Sequence, residues 1–596
     1  MSNFRAFVAN GAPPGAAFYF IESTAPDDVE GDPGGQSPTP PPSLLEVDPD
    51  QAVKDIAAFL TPAEEPEIDA SLVVMVHGFN TPRPRVLELY DKVRAAVVGD
   101  GQIFDLAKRR IVCIGCRWPS ESIFGDLKGT IDATPNAALV ALALVCAVVA
   151  VLAIADGVAA IEHFLSLGSI EAIACLAAFL TILIAGVFIT AAALRAIVYF
   201  RDVYRATNNG VPDLVEVIRQ IDLEAVKELR AGGESCERKR IALSFIGHSM
   251  GGLVVVSAIR VLSDVFDPGA ILTKLSGAAR SRTVGEPTDD QVSGRIGHVF
   301  DLMRFVLASP DIPGETLLAN RANFLASSLR RFKEAYLFSS EGDGVLRSIS
   351  TIVNYFTFPT SSRNYGYRLG NAEILTSDFT KPVVGDVLKL VRVGLKTLGD
   401  LPTDTADGNP SEVANAFTFF DCTDYKDGEP TRGMLTEARN YKRNDQNAHI
   451  PVPEHIKLLF LYVLGRKNIH GGYFDGAVTQ KLIYRLACLG FTGSAEAYGS
   501  KASLLDKCAQ HQIRVLPSKR LSENARRRPE RMDISPASYA AENQHHVANN
   551  PNLGGSETPR QRRGSPGGDS GSRSSAGRVR LIERPRGQAP TTGGDV

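Results

Sequence analysis

Short, continuous apolar runs recur along the chain at 71–76, 111–116, 241–246, 300–308, 334–340 and 416–420. They lack the alternation of a half-exposed strand and read as strands buried on both faces, the pattern of a parallel sheet. Shorter pieces at Ala6-Phe7-Val8 and 17–21 suit first strands. Between these runs the period lengthens to that of amphipathic helices at 83–97, 202–230, 455–464 and 480–489. After Ser249, apolar residues at Leu253, Val256 and Ile259 mark another. Strands alternating with helices predict an α/β fold with a mostly parallel, doubly wound sheet.

Two further apolar runs do not fit that scheme. Residues 137–155 and 172–194 carry no charge, and each is long enough to cross a bilayer. The segment between them, 156–171, is acidic and contains no Lys or Arg. Together they predict a transmembrane hairpin inserted into the α/β body. Lys128 precedes it, and Arg195, Arg201 and Arg205 follow it. The positive-inside rule places the body in the cytoplasm and the short loop outside, so a membrane crossed twice is expected, a bacterial inner membrane if the family resemblance given below holds. From about Pro517, Ser, Gly, Pro and Arg dominate, a composition that predicts a disordered tail. Its basic clusters suit contact with an anionic leaflet or simple solubility. The expected divisions are 1–135, 136–199 (hairpin), 200–516 and 517–596.

Composition changes this picture little. Of the 596 residues 44% are hydrophobic and 22% charged, ordinary for a chain with a good core. A net charge of −3 gives no electrostatic reason to expect a nucleic-acid partner. The cysteines are scattered, without the spacing of a disulfide framework. Cys113 and Cys116 have C-x-x-C spacing but lie in a strand-like run, where residues three apart face opposite ways, so they read as core. The N-terminus has no basic start followed by an apolar stretch, so no cleavable signal peptide is expected. No H-E-x-x-H, paired-cysteine or dinucleotide-loop pattern is present, and no cofactor or metal is expected.

The chemistry centres on 241–262. An apolar strand breaks at Gly247-His248-Ser249-Met250-Gly251 and resumes as a helix. In a chain with 53 glycines the bare G-x-S-x-G pattern arises by chance about 0.3 times, so the pentapeptide alone decides nothing. A strand before it and a helix after it give the elbow that lifts a serine hydroxyl out of a sheet, which makes Ser249 the expected nucleophile. An attacked carbonyl needs two N–H groups where its negative charge develops. One would come from Met250, the other from Phe79 or Asn80, where the strand 71–76 runs out through His77-Gly78.

A serine nucleophile needs a base, and the base needs an orienting acid. The expected chain order here is serine, acid, histidine. His298 precedes a strand, His455 begins a helix, and His511 lies near the tail. His470, in the Gly-rich turn 468–474, is the expected base, with His449 as the alternative. Asp311 and Asp343 both follow strand ends; the later position favours Asp343 and leaves Asp311 as the alternative acid. His248, inside the elbow, reads as packing.

Val76-His77-Gly78-Phe79-Asn80, Trp118-Pro119-Ser120, the elbow, Ala308-Ser309-Pro310-Asp311, 339–346 and His470-Gly-Gly-Tyr-Phe474 occur in one order. In that order they resemble a bacterial α/β-hydrolase family long catalogued as a domain of unknown function. The resemblance spans about 71–474 and implies an α/β-hydrolase fold with Ser249, Asp343 and His470 in the triad roles. The hairpin and the long region 371–415 depart from the family pattern. The expected activity is hydrolysis of an acyl ester, esterase- or lipase-like, with an ester or lipid substrate and the bilayer as partner. The sequence assigns no protein partner. A catalytically weak membrane adaptor and a toxin-like lipase effector remain as alternatives.

Overall fold

Every residue of the strands Ala70–Val76 and Ile241–His248 is buried. They lie side by side at the centre of the sheet. The structure, a computed structural model, describes residues 4–13, 15–25, 43–62, 69–107, 110–120, 197–233, 240–266, 295–317, 328–329, 331–350, 367–375, 385–394, 396–400, 413–426, 450, 452–463, 469–519 and 521, with isolated positions between 143 and 181.

In chain order the strands are β1 Phe4–Ala9, β2 Ala16–Ser23, β3 Leu44–Val47, β4 Ala70–Val76, β5 Arg110–Arg117, β6 Ile241–His248, β7 Arg295–Ile296, β8 Phe300–Ala308 and β9 Glu334–Ser339. Then come β10 Ala372–Ile374, β11 Val391–Val393, β12 Lys396–Thr397, β13 Phe417–Asp421 and β14 Arg514–Leu516. The main sheet runs β14-β13-β9-β8-β6-β4-β5-β2-β1-β3, with β7 paired to β8. From β2 through β13 neighbours are parallel. β1 and β3 at one edge and β14 at the other are antiparallel. The protein is therefore α/β with a mostly parallel central sheet, as the continuous apolar runs predict.

Alternation along each strand feeds two layers. Leu72, Val74 and Val76 pack with Ile56, Leu214 and Val255, from helices Pro49–Leu60, Val211–Ala231 and Met250–Phe266. Val73 and Met75 point the other way, to Val93, Tyr484 and Leu486 of helices Arg83–Gly99 and Ala477–Ala497. Each large apolar side chain so buried contributes about 1.5–3 kcal/mol relative to exposure. Cys113 and Cys116 obey the same rule: they belong to opposite layers, and burial pushes both thiols up, Cys116 to about 12. That is the core role expected of them.

Strand order fixes where chemistry can happen. From β4 the chain crosses to β5 on one side, then returns to β6 on the other. The crevice beyond the carboxyl ends of β4 and β6 is thus a topological switch point, where open α/β sheets hold their ligands.

Several elements were not foreseen. β3 is a half-exposed edge strand, and helix Lys501–Gln510 and β14 follow the helix expected to be last. The long region 371–415 holds a small antiparallel sheet, β10-β11-β12. Among the described residues no helix is long and apolar enough to cross a membrane. The two uncharged runs fall almost wholly outside those residues, as does the tail beyond 521. In and just after the first run, Ala147, Ala150, Val151, Ile154 and Val158 are helical and exposed, at spacings that share one helix face.

Candidate active site

The elbow is close-packed enough to explain its glycines. A Cβ on Gly251 would stand 2.3 Å from the Val76 carbonyl oxygen and 2.4 Å from that of His77. One on Gly247 would stand 2.6 Å from Gly252 Cα. No side chain fits at either position. The turn leaves Ser249 with φ of 53°, in the left-handed region that costs a non-glycine residue about 1 kcal/mol or more. Asn80 (55°) and Ser309 (47°) share this conformation. These three residues lie just beyond the adjacent strands β4, β6 and β8, so the strain is concentrated at the switch point.

Ser249 Oγ is buried and has no hydrogen-bond partner among the described residues; the same holds for His470 Nε2. Buried polar atoms are nearly always satisfied, so two orphans at one strand-end cluster call for a chemical explanation. His470 is tied to the elbow through its neighbour: His248 Nε2–H donates to the His470 carbonyl at 3.1 Å, and the two rings lie 5.1 Å apart. Burial pushes His248 down to about 3, so it is a neutral spacer, the packing role expected for it.

Asp343 orients His470. Its Oδ2 accepts from His470 Nδ1–H at 2.7 Å, and Oδ1 accepts from the N–H groups of Val345 at 3.1 Å and Leu346 at 3.3 Å. An ionised carboxylate only accepts, so the proton of neutral His470 must sit on Nδ1, leaving Nε2 as a base. Burial opposes both charges. The mutual attraction of the pair and its hydrogen bonds win, holding Asp343 below the usual carboxylate range and His470 above its ordinary 6.5.

Ser309, to which the sequence assigned no role, completes the acid's shell. Its hydroxyl donates to Asp343 Oδ2, the oxygen that also holds His470, and lies 3.5 Å from Nδ1. Asn371 Nδ2 fixes the acid's backbone through the carbonyls of Asp343 at 3.0 Å and Ser340 at 3.2 Å. Removing the Ser309 hydroxyl leaves more of the carboxylate's charge on the imidazole. Ser309→Ala should therefore move the acid limb of any His470-dependent pH–rate profile upward by about half a pH unit or more. Ser309→Gly, which relieves the positive φ, should shift it equally. A limb that stays in place in both variants would remove Ser309 from the site.

The structure does not give Asp311 the acid's place. Its carboxylate accepts from Tyr199 Oη at 2.7 Å and from Ser350, and pairs with Arg368 at 3.1 Å. It is spent on cross-linking the wall behind the elbow, where its own N–H bonds the Ser249 carbonyl at 3.2 Å. His449, the alternative base, lies outside the described residues.

Of the two amides considered beside Met250, Asn80's is already engaged, donating to Asp202 Oδ2 at 2.9 Å. The N–H groups of Phe79 and Met250 have no acceptor among the described residues. The Trp-Pro-Ser segment braces this loop. Trp118 stacks on His77 at 5.1 Å and donates to its carbonyl at 3.0 Å, and Ser120 Oγ–H donates to Asp202 Oδ2 at 2.6 Å. Asp202 lies in the helical segment that follows the second uncharged run. Phe79 meets Tyr199 and His470 edge-on, at 5.5 and 6.1 Å. A pocket of about 150 Å³, the mouth, is lined by Phe79, Asn80, Leu89, Tyr462 and His470.

No family model, curated protein or solved structure matches this chain.

Proposed function

We propose that the protein is a serine hydrolase that cleaves an acyl ester, built on an α/β-hydrolase fold. The observation that carries this reading is the Asp343–His470 bond, which directs an unpartnered Nε2 away from the acid beside an elbow whose serine hydroxyl is equally unpartnered. In the proposed cycle Ser249 Oγ attacks the ester carbonyl and its proton passes to His470 Nε2. The Phe79 and Met250 N–H groups receive the charge on the carbonyl oxygen. Collapse expels the alcohol with the proton from His470. Water, deprotonated by the same nitrogen, then releases the acid and restores Ser249.

The reading includes a membrane hairpin at 137–194, with the catalytic body on the cytoplasmic side. Support comes from the two uncharged runs, the flanking Arg and Lys residues, and the exposed apolar face at Val151, Ile154 and Val158.

The test is labelling with a fluorophosphonate probe in membrane fractions. The native protein should label, Ser249→Ala should not, and His470→Ala should label far more slowly. A folded native protein that stays unlabelled in membranes and in detergent sinks the proposal. Alkaline carbonate extraction of the same fractions tests the hairpin separately: release into the supernatant would rule it out.

A further inference from the structure

The two peptides that flank Phe79 are held by hydrogen bonds that the proposed cycle does not use. The first, Gly78–Phe79, lies against the elbow, where a Cβ on Gly78 would stand 2.8 Å from Ser249 Cβ. Its carbonyl oxygen accepts from His77 Nδ1–H at 2.7 Å and from the Thr81 hydroxyl at 3.1 Å. His77 is fully buried, and burial pushes it down to about 3, so the ring is neutral. A carbonyl only accepts, which puts the ring's single proton on Nδ1. In a trans peptide the N–H points opposite the C=O, so these donors turn the Phe79 N–H away from themselves.

The second peptide is Phe79–Asn80. Its carbonyl accepts from the same Thr81 hydroxyl at 3.0 Å, and its N–H donates to Asp202 Oδ2 at 2.9 Å. Asp202 is fully buried. Oδ2 also accepts from the Ser120 hydroxyl, and Oδ1 accepts from Arg201 Nε at 3.2 Å. Three donors describe an ionised carboxylate. Burial raises its pKa, and Arg201 and the two hydrogen bonds on Oδ2 act against that. Keeping a charge in the interior is costly unless it is paired. Here that charge fixes one backbone N–H, in a residue whose φ is 55°. Ser120 extends the hold, its oxygen accepting from the Thr81 N–H at 3.2 Å.

Such a clamp has a use at this position. Glycine tolerates rotations that other residues do not, so the peptide after Gly78 is free to flip unless something holds it. A flip exchanges the N–H and the C=O. A carbonyl oxygen would then stand where the developing negative charge needs a donor, and repulsion would replace a hydrogen bond. With both flanking peptides fixed, the φ and ψ of Phe79 are fixed too, and the flip is closed.

We propose that Thr81 and Asp202 are positioning residues for the oxyanion: they hold the Gly78–Phe79 peptide with its N–H toward the oxygen of the carbonyl that Ser249 attacks. They act through that peptide and not through the triad. The proposal rests on the hydrolase reading and adds to it what keeps the hole formed. Thr81 also lines the mouth, so a direct contact with substrate has to be told apart from positioning. A direct contact would appear in KM; positioning appears in kcat.

The experiment compares Thr81→Val, Thr81→Ser and Asp202→Ala in the full-length protein, with p-nitrophenyl butyrate as the probe substrate. Thr81→Val keeps the shape without the hydroxyl and should lower kcat roughly tenfold with KM little changed. Thr81→Ser keeps the hydroxyl and should restore most of the rate. Asp202→Ala should lower kcat roughly a hundredfold, as loss of one oxyanion donor does. Trifluoromethyl hexyl ketone reads the hole itself. Ser249 Oγ adds to its carbonyl carbon, the serine proton passes to His470 Nε2, and the alkoxide stays in the hole. Its Ki should rise in each variant by the factor by which kcat/KM falls. The acid limb set by His470 should stay in place, which a general loosening of the site would not allow. Thermal melts show whether Asp202→Ala is folded; if it is not, the Thr81 pair decides. Near-native kcat in Thr81→Val, a Thr81→Ser as slow as Thr81→Val, or an unchanged Ki beside a fallen kcat overturns the positioning role alone. A native protein that neither turns over the ester nor labels with fluorophosphonate takes down the hydrolase reading and this role with it.

Discussion

Asp343→Asn should lower kcat/KM for ester hydrolysis roughly 10⁴-fold while leaving the fold intact, because it reverses the tautomer of the base. Asp343 Oδ1 accepts two backbone N–H groups, from Val345 and Leu346, and only the amide oxygen of an asparagine satisfies them. The NH₂ group must then take the place of Oδ2 and point at His470 Nδ1. That nitrogen becomes the acceptor, the proton moves to Nε2, and Nε2 can no longer take the Ser249 proton. The volume of the side chain is unchanged, so stability should fall little. Trp118, the only tryptophan in the chain and 2% exposed against His77, reports by its emission whether the strand end beside the site is intact. Activity within tenfold of native, with native emission, would mean that Asp343 does not orient the base. If the hydrolase reading holds, kcat/KM of the native protein should rise with pH through a limb above 6.5. The base must be neutral to act, and Asp343 holds its proton more tightly than an ordinary imidazole does.

The sequence carried this site unevenly, for physical reasons. Ser249 was legible because the strand, the elbow and the helix that present it are consecutive, so one local pattern records all three. Asp343 and Asp311 were harder to separate, since each follows a strand end. What divides them is the partner across the crevice: His470 for one, Tyr199, Ser350 and Arg368 for the other. Ser309 stood in the motif Ala308-Ser309-Pro310-Asp311, but its contact with the acid was invisible. Its hydroxyl reaches Asp343 only because β8 and β9 pair in parallel with Ala308 opposite Phe338, a register that no spacing along the chain encodes. Asn80 was offered as an oxyanion donor on its position alone, and Asp202, 122 residues further on, withdraws it.

The same contrast holds for the fold. Buried central strands announce themselves as unbroken apolar runs, and each of the six short runs formed a strand within two residues of its expected bounds. Edge strands do not. β3 reads Leu-Leu-Glu-Val and β14 reads Arg-Val-Leu, too short and too polar for a period to emerge. β14 exists through a tertiary interaction that the sequence does not display.

That interaction gives the second large effect. Arg514→Ala should destabilise the protein by about 3–5 kcal/mol, the cost of leaving buried carboxylates without their cation. Arg514 is fully buried, donates to Asp421 Oδ2 at 3.0 Å, and pairs with Asp424. Asp421 is also fully buried and accepts from the N–H groups of Ile374 at 3.0 Å and Thr423 at 2.9 Å. One carboxylate therefore joins β13 to β14 and to the small sheet that begins at β10. Without the guanidinium its charge faces only neutral donors, and the edge of the main sheet and the attachment of the small one weaken together. Trp118 emission followed on heating should show a Tm lower by several degrees, and limited proteolysis should cut first near β14. Arg514→Met combined with Asp421→Asn removes the Arg514 and Asp421 charges together while keeping most of the packing volume, and should recover part of the loss, since Asp424 keeps its charge. If the double variant melts no higher than Arg514→Ala, neither the stranded Asp421 charge nor the lost stem packing explains the loss, and the edge depends on the hydrogen bonds of the guanidinium bridge itself. A single variant that melts like the native protein would show that neither the bridge nor the stem is needed.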